Sequence, residues 1–391
     1  MNNEQHLFAE YVSPGHPDRL ADAIVEGIVD AALAADPDAL VGVEAAVHTD
    51  KIFVDGRVAA GRGPGDALTP DRIDAIARAA YRQAGYSGLW QPAPERLAVT
   101  QDLCLGPLSD EERDIRPLSD DQNVVIGYAC ASPATHFLPP AHWLAWRIGT
   151  GIAQWRDAGA ANRFGPDFKV LPHLIATVDA QGARVYEWQR LTVSMQHAPG
   201  VGYEAQYRLL LPVLRAVLAE LESAGLPGVA ASFTPDKLYL NGAGDFEQGG
   251  PHGDNGLSGK KLVVDHYGPS IPIGGGALCG KDPHKVDRCG ALRARQWARR
   301  LVAGGAAEAR TTLCWCPGSG EPHHIEAQTC DTLGFWRPVP PDQCPPPDLF
   351  SIRCTVSDLG LGAVRWTDAL RVGYFVHAQH PWEKPAYPLK S

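Results

Sequence analysis

One order of elements, helix then hairpin then helix, can be read three times along this chain, and that recurrence limits the folds open to it. Residues 17–35 put Leu20, Ile24 and Ile28 on one helical stripe beside Ala21, Val25 and Ala32, with Pro17 suited to a first helical position. VGVEAAVHT and KIFVDGRVAA then read as two strands joined near Asp50, and a helix follows at 70–84. The second round is a helix at 141–157, strands HLIATVD and RVYEWQRLTVSMQ across Ala180, Gln181 and Gly182, and a helix at 204–224 with Pro212 near its start. The third is a helix at 285–303, strands TTLCWCPG and HHIEAQTC, and a helix near 346–359. The pattern predicts three α+β units, each a sheet covered by helices on one face: 13–105, 118–232 and 236–391, with 1–12 assigned to the third. Linkers are expected at 106–120 and 226–236. The first, charged and without periodicity, reads as a mobile lid or a disordered connection.

Composition narrows the function. The chain has 391 residues, 45% apolar and 20% charged, as in an ordinary globular protein of two or three domains. A net charge of −10 argues against a bulk attraction to nucleic acid or an anionic membrane. No apolar run reaches the roughly 20 residues that span a bilayer, and the first residues lack the blocks of a signal peptide, so a cytoplasmic location is expected. Nine scattered cysteines read as reduced thiols. Cys314, Cys316, Cys330, Cys344 and Cys354, with His323 and His324 between, lack the paired spacing of a zinc finger or ribbon.

Chemistry concentrates in 242–280, where 12 of the 41 glycines fall. An even spread would put about four there, so this is a segment for close backbone approach. Lys260, Lys261, Lys281 and Lys285, four of the nine lysines, lie in it or just beyond, interleaved with Asp254, Asp265, Asp282 and Asp287. Amides and ammonium groups that neutralise phosphate oxygens, with carboxylates for Mg²⁺, suit a metal-bound polyphosphate. Gly275–Lys281 fits G-x-x-x-x-G-K, but Asp282 stands where a P-loop needs Ser or Thr and Pro283 follows, so no Walker site is read here. Near the other end, His16 and Asp18 open the first helix, where unpaired amides favour an anion.

Together these segments resemble the S-adenosylmethionine synthetase (methionine adenosyltransferase) family. GHPDRLADAI (15–24), GGPHGDNGLSGKKLVVDHYG (249–268) and GGGALCGKDPHKVDR (274–288) are similar to its signatures, and VSMQH (193–197), GYA (127–129) and HPWEK (380–384) extend the likeness along the chain. The resemblance implies three α+β units about a pseudo-threefold axis, in homodimers or tetramers whose active sites are shared between subunits. It implies attack of the methionine sulfur on C5′ of ATP, loss of the whole triphosphate, and its hydrolysis to phosphate and pyrophosphate, with Mg²⁺ and K⁺. By matched position, His16 would act at the departing O5′, while Lys169, Lys261 and Lys281 grip the triphosphate. Asp18 and Asp287 would each hold Mg²⁺, and Glu44 would belong to the K⁺ site. Phe246 would stack on adenine, with Asp167, Lys260 and Ala277 also on the ATP side. Asp121, Asp254 and Lys285 would contact the amino acid, as would the residue at position 57.

That residue departs from the family pattern: Arg57 stands in place of the glutamate that receives the amino-acid ammonium. Leu118–Asn123 replaces the family's glycine-rich GAGDQG, and its loop glutamine has no clear counterpart between Gln101 and Gly106. Arg19 and Lys260 keep the family's charge, whereas Asp245 replaces an arginine. The nucleotide half of the site reads as retained and the second-substrate half as rebuilt. Three readings follow: a synthetase making S-adenosylmethionine, a divergent relative that adenosylates another nucleophile or only hydrolyses triphosphate, and a non-catalytic nucleotide-binding homologue.

Overall fold

The computed structural model describes residues 4–385 apart from 64, 66–67 and 181–183; the turn residues Gln181 and Gly182 lie outside the described set. In chain order the strands are β1 (Gln5–Phe8), β2 (Tyr11–Val12), β3 (Leu40–His48), β4 (Lys51–Ala59), β5 (Ala98–Gly106), β6 (Asn123–Cys130), β7 (Phe164–Val178), β8 (Arg184–His197), β9 (Leu238–Leu240), β10 (Gly256–Leu257), β11 (Glu308–Trp315), β12 (His324–Cys330) and β13 (Trp336–Pro338). The helices are α1 (Pro17–Ala35), α2 (Pro70–Ala84), α3 (Asp110–Asp114), α4 (Pro140–Trp155), α5 (Tyr203–Ser223), α6 (Leu262–Asp265), α7 (Val286–Ala303), α8 (Ile352–Asp358) and α9 (Trp366–Val372).

Local chemistry sets the principal elements. Helix α1 starts with Pro17 at its first position and His16 as N-cap, and its Leu20, Ile24 and Ile28 stripe is fully buried. Thr69 caps α2 through the Arg72 amide, and Gly85 ends it in the left-handed region. Along β3 and β4 burial alternates, so one face of the hairpin packs and the other is open.

The three sheets share one plan, in the orders β10-β3-β4-β5, β1-β7-β8-β9 and β6-β11-β12-β13. In each, an antiparallel strand flanks the first strand of an antiparallel hairpin. The last strand is parallel to its neighbour in the first two sheets and antiparallel in the third. Helices α1, α4 and α7 pack on β3, β7 and β6/β11 respectively. This is the α+β architecture of three similar units, with helices on one face of each sheet.

The contiguous ranges need correction, because each sheet takes its flanking strand from another part of the chain. β10, from 236–391, completes the first sheet; β6, from 118–232, completes the third. Residues 5–8 join the central sheet through β7 rather than the C-terminal unit. β10 and β1, of two and four residues, carry no periodicity, and β6, of eight, gives no local sign that its partner is β11, so these exchanges leave no pattern to read. The 106–120 segment is likewise neither a free loop nor structureless: it contains α3, closed by a Ser109/Glu112 capping box.

Candidate active site

The start of α1 is held against two other elements. The Ser13 hydroxyl donates to the Pro166 carbonyl and accepts from the Phe168 amide, both at 2.8 Å, which fixes the turn before α1 on β7. On the other side β10 runs so close that a Cβ on Gly256 would overlap the Pro17 carbonyl, so only glycine fits. This crossing brings the 249–261 segment onto His16 and Asp18. The Leu257 amide donates to Asp18 Oδ1 at 2.9 Å, Lys261 Nζ pairs with Asp18 Oδ2, and Lys260 Nζ lies 3.8 Å from Oδ1. Burial pushes the Asp18 carboxyl up, but Lys261 and the Leu257 amide outweigh it and hold it below the usual range.

His16 is buried, and its Nδ1 accepts from the Asp18 amide at 3.1 Å. Burial, with the Lys169 ammonium adding to it, pushes its pKa down to about 3. The ring is therefore neutral at pH 7, with its proton on Nε2. Lys169 itself is exposed on β7. Asp167, two residues before it, is buried; its Oδ2 accepts from the Gly250 amide at 2.8 Å while Oδ1 has no partner, and burial pushes its pKa up to about 6. Beside Gly250, an open cavity of about 220 Å³ is lined by Leu89, Gln91, Gln196, Glu247, Gln248, Gly249 and His252. Phe246 adjoins it, its backbone tied to His197.

A second charged group sits at the start of α7. Lys281 Nζ pairs with Asp287 at 2.6 Å, under a glycine run so tight that a Cβ on Gly276 would overlap Asp287 Oδ1. Ala277 is half-buried in the same run. Lys285, the N-cap of α7, pairs with Asp120, and Arg57 donates to Glu112 Oε1 from Nη2 at 2.9 Å and Nε at 3.2 Å. Between the lysines, Asp282 is fully buried and accepts from the Val41 and His284 amides at 2.8 Å and from Arg116. Arg116, though set against that burial, holds the carboxyl well below its ordinary range.

The two groups lie at different points of β3. β10, with Asp18 on its Leu257 amide, pairs with Ala46 and Val47, whereas Lys281 bridges to Gly42. At about 3.3 Å per residue that puts their points of attachment on β3 roughly 15 Å apart on one chain. A buried pair fixes this spacing: Glu26 of α1 accepts two 2.7 Å hydrogen bonds from Arg288 of α7, whose guanidinium lies 3.9 Å from the Trp366 ring centre.

Not every expected residue joins these groups. Asp254 and Asp121 are exposed, each with its carboxylate on the next residue's amide; Lys285 meets Asp120, not Asp121. Glu44 is exposed on β3, opposite Asp55. Arg116, Glu112, Asp120 and the Glu26–Arg288 pair were outside the sequence expectation, and Asp282, read there among the carboxylates suited to Mg²⁺, is instead buried against Arg116. Only Glu112 had a local signal, the Ser-x-x-Glu of a capping box. Cys316 Sγ lies 3.4 Å from His323 Nδ1, and among the described residues no three His, Cys, Asp or Glu side chains gather as a metal cluster.

Family models for the S-adenosylmethionine synthetase N-terminal and C-terminal domains match residues 5–99 and 248–384. The chain is 33% identical over 342 residues to the S-adenosylmethionine synthase of Hyphomonas neptunium, covering 84% of this chain and 82% of that one. It is 36% identical over 338 residues to that of Methylobacterium sp. (strain 4-46), covering 83% and 81%. Its fold matches an unusual S-adenosylmethionine synthetase from Campylobacter jejuni with a TM-score of 0.79, at 24% identity and over 97% of each chain. Over most of its length, then, this chain belongs to the S-adenosylmethionine synthetase family, enzymes of the methionine adenosyltransferase type.

Proposed function

We propose that the protein transfers the adenosyl group of ATP to the sulfur of methionine or a related thioether. The C5′–O5′ bond breaks, the triphosphate leaves whole, and its hydrolysis gives phosphate and pyrophosphate. The observation that carries this reading is the pair of lysine–carboxylate contacts, Lys261–Asp18 and Lys281–Asp287, at the N-terminal ends of two helices locked together by Glu26 and Arg288. Such pairs are built for exchange: when a metal triphosphate binds, each lysine can turn to a phosphate oxygen and each carboxylate to the cation.

The donor set fits Mg²⁺, which takes one or two carboxylates and completes its shell with phosphate and water. Asp18 and Asp287 would hold it, and bound Mg²⁺ would neutralise charge on the departing triphosphate. Glu44 faces Asp55 across the hairpin with no ion pair for either among the described residues. Carboxylates placed opposite one another repel, and K⁺ is the cation proposed to relieve them. With Nδ1 engaged, His16 offers Nε2–H to the oxygen that gains charge. Lys169, Lys260, Lys261 and Lys281 hold the triphosphate. The base lies beside Phe246 and Asp167, with Ala277 lining the nucleotide side, and Lys285, Asp121 and Asp254 serve the second substrate. Because the two groups lie apart on one chain, a homodimer, alone or within a tetramer, completes each site from two copies. No helix among the described residues is long and apolar enough to cross a membrane, and a cytoplasmic location is proposed.

Mass spectrometry of the protein with ATP, Mg²⁺ and K⁺, with and without methionine or 3-(methylthio)propanoate, tests the reaction. Adenosylsulfonium product with matching phosphate and pyrophosphate is expected. ADP as the product, or no loss of ATP with either thioether, would refute the proposal.

A further inference from the structure

Three cations surround Gly42 on β3. Lys281 bridges to its backbone, Lys285 Cε lies 4.0 Å from where a Gly42 Cβ would sit, and Arg57 is its cross-strand partner on β4. Each is capped by a carboxylate of this chain, but the caps differ in origin. Asp287, on Lys281, belongs to α7. Glu112 on Arg57 and Asp120 on Lys285 both come from the connection between β5 and β6.

The fit of Glu112 to Arg57 is incomplete. Arg57 Nε and Nη2 both donate to the single oxygen Oε1, while Oε2 accepts from the Ser109 amide at 2.9 Å within the capping box. A guanidinium fork is matched best by two oxygens of one carboxylate. The Arg57 side chain is 35% exposed, so a ligand can reach it. An incoming carboxylate can offer both oxygens and exchange for Glu112 without leaving either charge stranded, since Glu112 keeps its Ser109 bond at the solvent edge. A cationic group at that position would instead meet a like charge.

We propose that Arg57 is a specificity-determining residue that receives a carboxylate of the second substrate, with Glu112 standing in for that carboxylate in the free protein. The proposal rests on the adenosyl-transfer reading and deepens it. The substrate class is a thioether bearing a carboxylate, held at Arg57 rather than at Lys285.

The test is calorimetric binding of two probes to protein loaded with β,γ-imido-ATP and Mg²⁺: 3-(methylthio)propanoate, and 3-(methylthio)propan-1-ol, which lacks the carboxylate. The wild type should bind the acid at least about tenfold more tightly than the alcohol, the scale of one charge-assisted bidentate contact. Arg57→Met should bring that ratio near one, while its circular dichroism and nucleotide affinity stay those of the wild type. Glu112→Gln, which leaves Arg57 in place and removes its competitor, should raise the ratio severalfold. An acid-to-alcohol ratio that survives Arg57→Met in folded protein, or a wild-type ratio near one, overturns the proposal. ATP consumption is measured separately. If ATP is not consumed while the ratio responds to Arg57, the reaction reading fails and the Arg57 assignment stands; if adenosyl product forms with a ratio indifferent to Arg57, only the assignment fails.

Discussion

Asp167 shows how strongly burial acts on a single charge in this protein. Its folded pKa of about 6 lies above the ordinary carboxylate value, so the folded state holds a proton that the unfolded chain has already lost between about pH 4 and 6. Stability contributed by that proton is present below this window and is lost as pH rises through it, at a cost on the order of 3 kcal/mol. Asp167→Asn should therefore flatten the fall in melting temperature between pH 4.5 and pH 7.5; an unchanged pH dependence would contradict the assignment. Asp287→Asn should lower turnover by about a hundredfold or more while leaving the melting temperature near the wild-type value, because Asn keeps the shape and an acceptor oxygen for Lys281, whose side chain is 29% exposed and stays solvated. Near-normal activity at low Mg²⁺ would remove Asp287 from the metal. At this scale the motifs located the charged residues at both helix starts, since residue type and spacing are written in the chain. Their partners were not legible: Arg116 meets Asp282 across 166 positions and Lys285 meets Asp120 across 165, distances that no local pattern spans.

Among the elements, α1 was readable from its apolar period, α7 from its place at the start of the third round, and the hairpins from β-rich runs broken by turn residues. What holds α1 to α7 was not readable, because the pair responsible, Glu26 and Arg288, consists of charged residues on faces the apolar pattern would leave polar. Both are fully buried, and burial pushes Glu26 up to about 7 against the pull of Arg288. Removing one member of such a pair strands the other, so Glu26→Ala should cost about 3–5 kcal/mol in urea unfolding. A loss under about 1 kcal/mol, within the range of an exposed pair, would show that the spacing of the two charged groups does not depend on this contact. The connection from β5 to β6 teaches a related lesson. Its charge density reads as solvated loop, yet Arg113 reaches Asp36 at 2.5 Å and Arg116 reaches Asp282, so the same charges anchor it.

For the whole molecule, the threefold recurrence of elements was enough to foresee three sheets backed by helices. The sheets are not closed within contiguous segments, however. β1, β6 and β10 each cross to another sheet, and one such crossing, β10 over the start of α1, assembles the Asp18 group. Long-range pairing of this kind places the charged residues in two groups along β3 and underlies the proposed sharing of each site between two copies. Co-refolding equal amounts of Asp18→Asn and Asp287→Asn protein tests that claim most directly. Random pairing makes half of the dimers mixed, and a mixed dimer has one site free of both changes, so the account predicts recovery of about a quarter of wild-type turnover from two variants that are each inactive alone. A co-refolded sample no more active than either variant by itself would contradict it.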